Sequence, residues 1–222
     1  MKQPNSTLQH YRVLDPAESY TFSQYFDLPF APEDILSDLG CSLVRQRLVL
    51  PTYSGEILQL DFLRSYLERN LEFVAPISEI SRREIFIAPI LLEVCAQIHA
   101  RLNIEYTLKV NNWLKGVLDY YIPAAQGLLV IEAKQSDLSR GLTQLATELI
   151  ALDQWIDSAM PVLYGAVTTG DIWKFATFNR HDRQISEDRT LYKVPDELEP
   201  LLRILLGILQ PEEVSEISQP GS

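Results

Sequence analysis

The segment Gly127–Lys134, GLLVIEAK, constrains the fold more than any other stretch of the chain. Its run of apolar residues leaves no polar face. The strand it predicts is therefore buried on both sides and sits centrally in a sheet, with other elements packed above and below. The strand nevertheless ends on a carboxylate and an ammonium, Glu132 and Lys134. Side chains alternate along a strand, so these two point to the same face, while Ile131 and Ala133 point to the other.

The flanking segments supply the remaining layers. Pro32 followed by Glu33 and Asp34 predicts a helix start, and Gly40 its stop. Leu43–Pro51 alternates as a strand, and Gly55–Asn70 has helical periodicity through Ile57, Leu60, Leu63 and Leu67. Ser81 and Glu84 have capping-box spacing and predict a helix running to about Leu102, kinked or broken at Pro89. Strands follow at Ile104–Val110, Trp113–Pro123 and Leu128–Lys134. A long helix capped by Ser136 or Asp137 comes next, then strands at Val162–Thr169 and IWKFATFN, and a short one at LYKV. A closing amphipathic helix opens at Asp196. This order predicts an α/β fold with a mixed β-sheet flanked by helices and a mainly helical N-terminal extension. The crossover after the third of the central strands is expected to be parallel and right-handed. Residues 1–75 read as an extension packed on the core, 76–180 as the α/β core, and 181–222 as a C-terminal strand, helix and loose tail. The first fifteen or so residues read as loose as well.

With 222 residues, 46% of them hydrophobic and 22% charged, the chain can bury a substantial core. Cys41 and Cys95 stand far apart, and no CxxC, HExxH or Cys/His cluster occurs, which argues against a structural zinc site. The polar N-terminus has no apolar signal region, and LLRILLGIL is too short to span a bilayer, so a cytoplasmic location is expected. The net charge of −11 argues against a generic nucleic-acid coat, but it is unevenly spread. Residues 1–79 carry 6 basic and 11 acidic side chains, residues 80–180 carry 9 and 10, and residues 181–222 carry 4 and 9. The nearly neutral middle leaves room for a local basic face. The acidic ends suit a protein partner.

If Trp113–Pro123 and Leu128–Lys134 pair as a hairpin, Asp119 falls beside Glu132. Two carboxylates and a lysine then converge at the end of an apolar sheet. Adjacent carboxylates repel and favour a cation between them, and oxygen donors suit a hard ion such as Mg²⁺, with Mn²⁺ as a substitute. Counting back along the preceding helix, Glu84 shares a face with Ile87, Ala88, Leu91, Cys95 and Ile98, so it is the helix acid expected to reach that group. Its other reading is a helix-capping acid. His10, His99 and His181 are scattered, and His99 reads as a residue of the helix C-terminus.

The ordered set of helix Glu84, hairpin Asp119, an apolar strand ending in Glu132-Ala133-Lys134, and a following helix with Gln144 resembles the PD-(D/E)XK nuclease superfamily. The likeness covers roughly Ser81–Arg180. It departs from the pattern at Glu148, where one branch carries tyrosine four residues after the glutamine. It departs again at Leu118, which stands where the superfamily's pattern has a proline that many members lack. The resemblance implies a restriction endonuclease-like fold and Mg²⁺-dependent hydrolysis of DNA phosphodiester bonds. Asp119, Glu132 and the Ala133 carbonyl would hold the metal, with Glu84 acting through water. Lys134 would position or activate the attacking water, and Gln144 would orient Lys134 or the phosphate. A homodimer would suit double-strand cutting. The alternative is a catalytically silent module of the same fold that binds a protein partner.

Overall fold

The computed structural model describes residues 12–75, 78–124, 127–134 and 137–210. His10, Ser136 and most of both stretches read as loose lie outside the described residues. The chain is an α/β protein whose described strands form one mixed, open sheet flanked by helices. Its elements are α1 (Phe22–Asp27), α2 (Pro32–Asp38), β1 (Ser42–Gln46), α3 (Leu60–Phe73), α4 (Glu79–Arg82), a π-helical turn (Arg83–Ile87) and α5 (Ala88–Ile98). There follow β2 (Asn103–Lys109), β3 (Lys115–Pro123), β4 (Leu128–Ala133), α6 (Leu138–Trp155), β5 (Val162–Thr168), β6 (Ile172–Asn179), β7 (Gln184–Asp188), β8 (Tyr192–Lys193) and α7 (Leu198–Leu209). The strand order is β1-β7-β6-β5-β4-β3-β2, with β8 pairing alongside β6.

β4 is the centre that its composition demands. All six of its residues are buried. It runs antiparallel to β3 and, across the α6 crossover, parallel to β5. Leu129, Ile131 and Ala133 face a core built with α5 and α7. Leu128 and Val130 face the other core, against Leu142, Leu145 and Leu149 of α6. Glu132 and Lys134 continue this second row, so the two charged residues are directed toward α6.

The fold departs from the sequence expectations at several boundaries. The cap of helix α4 lies three residues earlier than Ser81, and the helix begins at Glu79. Ser78 is the cap, accepting from the Ser81 amide at 3.1 Å, and Ser81 is its partner in the capping box. The break expected near Pro89 takes the form of the π-helical turn, with the Ala88 amide donating to the Arg83 carbonyl. Proline has no amide to continue the ordinary ladder, and a wider turn just before it absorbs the mismatch. α3 starts at Leu60 and not at Gly55. Gln59 takes a left-handed φ of 57°. The Gln97 side chain bonds the Leu58 amide at 3.1 Å and the Glu56 carbonyl at 2.9 Å, holding that segment extended. β1 is shorter than Leu43–Pro51, and the closing helix starts after Glu197 in place of Asp196.

One strand, β7, has no counterpart in the sequence reading. Its sequence, QISED, offers a single apolar residue. It is held by charge: Arg45 of β1 bonds Glu187 at 2.9 Å, and Lys174 of β6 pairs with the same carboxylate. β7 thereby joins β1, in parallel, to the far side of the sheet.

The start of α6 lies unusually close to the sheet. A Cβ on Gly141 would meet Val167 Cγ2 at 2.7 Å and Lys134 Cγ at 3.0 Å. Gly141→Ala is therefore expected to destabilise the fold by about 1–3 kcal/mol, the usual cost of overpacking. Urea denaturation would measure it, and an unchanged midpoint would show that helix and strand separate freely.

Candidate active site

Asp119 and Glu132 stand opposite each other at the end of the β3–β4 pairing. The last paired residues are Tyr120 and Ile131, and the antiparallel register continues directly to Asp119 and Glu132. The Asp119 carboxylate accepts from the Ala133 amide at 2.8 Å, which fixes the side chain against the strand end. Lys134 Nζ lies 2.5 Å from Glu132 Oε1. The strands thus bring Asp119, Glu132 and Lys134 into one group. Ala133 is buried and enters the group through its amide.

Helix α6 closes the group from its own face. Gln144 and Glu148, one helical turn apart, are both buried, and Gln144 Nε2 donates to Glu148 Oε1 at 3.0 Å. Gln144 thus touches Glu148, where contact with Lys134 or a phosphate was expected. Glu148 and Glu132 are close enough that each acts on the other's carboxyl. Burial, then the negative charges of Glu148 and Asp119, push the Glu132 carboxyl well above its usual range, against the pull of Lys134. Burial likewise drives Glu148 up to about 8, although its interactions with Glu132 and Gln144 oppose the rise. Lys134 moves upward as well. Burial disfavours its ammonium, but Glu132, Asp119 and Glu79 together outweigh that. Lys134 is accordingly a cation and a hydrogen-bond donor.

Glu84 does not join this group. It is exposed and lines a cleft with Arg83, Ile104, Glu105 and Tyr120. The π-helical turn changes the angular phase of the helix, so counting back from Leu91 at 3.6 residues per turn assigns Glu84 to the wrong face. Glu79 takes the nearer position. Burial raises its carboxyl, and the charges of Lys134, Asp119 and Arg83 act on it. Arg83 reaches within 3.7 Å of Asp119 Oδ1. Sequence reasoning missed Glu79, Arg83 and Glu148 as site residues. For Glu148 a signal existed, because an acid one turn after Gln144 extends a polar stripe along an otherwise apolar face.

Access is graded. The side chains of Asp119 and Lys134 keep 17% and 15% of their surface exposed, whereas Glu132 keeps 1%. Helix α1 forms the outer wall, with the Phe26 ring 5.1 Å from Lys134 Nζ. α1 is anchored by the Tyr25 hydroxyl, which donates to the Trp113 carbonyl at 2.8 Å. Phe22 lies against Gly116, where a Cβ would meet its ring at 2.8 Å.

The donor set can be tested against a divalent cation. Glu132 Oε2, Glu148 Oε2 and Gln144 Oε1 are buried with no donor to accept from. Such oxygens call for either a shared proton or a cation, and an all-oxygen set matches Mg²⁺ or Mn²⁺. Among the described residues, no three Asp, Glu, His or Cys side chains close into a complete metal-binding group. Mg²⁺ commonly takes only one or two carboxylates and completes its shell with water, so Asp119 and Glu132 suffice in kind.

No protein-family model, no curated protein and no solved structure matches the chain. Among the described residues, no helix is long and apolar enough to cross a membrane.

Proposed function

We propose that the chain is a Mg²⁺-dependent phosphodiester hydrolase acting on DNA, with a restriction endonuclease-like core. The observation that carries this reading is the meeting of Asp119, Glu132 and Lys134 at the ends of neighbouring strands, beside buried oxygens that lack donors. A cation held by Asp119, Glu132 and the Ala133 carbonyl would supply Lewis-acid polarisation of the phosphoryl group. Lys134, kept as an ammonium by the acids around it, donates to the attacking water or to the phosphate oxygen where negative charge develops. Burial raises both carboxyls of the Glu132–Glu148 pair, which favours a proton held within the pair. Gln144 fixes the Glu148 rotamer through its amide. A divalent ion held by Asp119 and Glu132 would need Glu132 ionised, because carboxylates bind metal in their ionised form.

The test is incubation of the full chain with supercoiled plasmid DNA in Mg²⁺ or Mn²⁺, with EDTA as the control. Nicked or linear product that EDTA abolishes is expected. Absence of product in both metals counts against the reading.

The burial of Glu132 and the Phe26 ring over Lys134 favour a second reading, a catalytically silent module of the same fold that binds a protein partner. Calorimetric titration with Mn²⁺ separates the two. The hydrolase takes up the ion, and the silent module gives no binding heat.

A further inference from the structure

A cavity of about 350 Å³ opens beside the acid–lysine group, between the π-helical turn and the β2–β3 hairpin. That volume lies at the lower end of the range for small-molecule sites, roughly 300–1,000 Å³. Ile80 and Ile104, 66% and 53% exposed, line it with apolar surface. Arg83 stands at the end nearest Asp119. Its side chain is only 16% exposed, yet every partner is loose: Glu105 at 3.4 Å, the Tyr120 hydroxyl at 3.4 Å and Asp119 at 3.7 Å. Its guanidinium also lies over the Tyr120 ring at 5.1 Å. A largely buried guanidinium without a tight carboxylate fork retains donors for an incoming oxyanion.

Two backbone irregularities meet at this cavity. One is the π-helical turn that carries Arg83. The other is Glu105, which holds a left-handed φ of 54° within β2, in a register that sets it opposite Asp119. Such departures cost free energy and concentrate at ligand-binding positions. Glu84 and Glu105 repel anions from the outer part of the cavity. A phosphate is therefore favoured only at the Arg83 end, next to the proposed hydrolytic group.

We infer that this cavity is a nucleotide subsite of the hydrolase. Arg83 binds the phosphate adjoining the scissile one, Ile80 and Ile104 enclose the base, and Glu105 accepts a hydrogen bond from an exocyclic amine. The inference rests on the hydrolase reading and deepens it by assigning a preference for bases that carry an amine. Carboxylates accept from such groups, and thymine has none.

The probe is deoxycytidine 5′-monophosphate titrated into the full chain by calorimetry, with thymidine 5′-monophosphate as the comparison. Saturable binding that favours the cytidine nucleotide is expected. Arg83→Gln should weaken it at least tenfold and Ile104→Glu should abolish it, while Glu105→Gln should erase the preference. Arg83→Lys, which keeps the charge and loses the fork, should fall between wild type and Arg83→Gln. Failure of the wild type to bind overturns the subsite, as does equal binding by Arg83→Gln and Ile104→Glu. Plasmid cleavage without nucleotide binding removes the subsite and leaves the hydrolase. Nucleotide binding without cleavage removes the hydrolase and leaves a nucleotide site.

Discussion

Lys134→Ala and Asp119→Asn are each expected to lower Mg²⁺-dependent plasmid cleavage by at least about 10²–10³-fold, the scale of losing one preorganised electrostatic group. The two act by different routes. Lys134→Ala removes the ammonium that lies 2.5 Å from Glu132 and opposes the protonation of that carboxyl. Glu132 is then driven further toward its neutral form, so both the donor to phosphate and an ionised acid are lost. Asp119→Asn keeps the side-chain oxygen that can accept from the Ala133 amide but removes the charge offered to a cation. Circular dichroism should show both variants folded, because neither substitution adds volume to the core. Unchanged cleavage in both would remove the hydrolase reading altogether.

The second large effect is on stability. The carboxyls of Glu132 and Glu148 are both raised in the folded chain, Glu148 from 4.5 to about 8. Between those values the folded state holds more protons than the unfolded state, so stability falls as pH rises. The contribution is complete below about pH 4.5 and is lost as pH climbs through about 8. In the absence of divalent ions, the free energy of unfolding from urea titrations should therefore drop on the order of a few kcal/mol across that window. Glu148→Gln keeps the shape and bears no titrating proton, so it should flatten the slope and be the more stable protein at pH 8. Addition of Mg²⁺ at pH 8 should raise the stability of the wild type if the ion is held by Asp119 and Glu132. A wild-type curve that rises with pH over the same range would contradict the protonated pair.

The central strand and its neighbours were legible because their signals are local and strong. Four apolar residues running into Glu132-Ala133-Lys134 define both the burial of β4 and the face its charges take. The hairpin register that sets Asp119 against Glu132 followed from strand alternation. What escaped depends on partners distant in sequence. β7 looks polar because the residues that neutralise Glu187, Arg45 and Lys174, come from other strands. The exchange of Glu84 for Glu79 arises from a turn with a different residue period, which uniform helical counting does not represent. Glu148 was visible as an acid one turn after Gln144, where one branch of the superfamily carries tyrosine. Its meaning needed the depth at which α6 packs, and Gly141 sets that depth.

The parallel pairing of β1 with β7 has a mechanical consequence. Ser42–Gln46 and Gln184–Asp188 are about as far apart in the described chain as two strands can be, yet they lie side by side. An early segment is therefore clasped to a late one, and Asp119, Glu132 and Lys134 lie in the length of chain between them. A fragment cut to residues 76–180 would lose β1, β7 and α7 together, baring the outer edge of β6 and the apolar face that α7 covers. Such a piece should precipitate or open, since an unpaired edge invites pairing with other chains. The Asp119–Glu132–Lys134 group is thus inherited with the whole sheet and cannot be spliced out as a portable cassette.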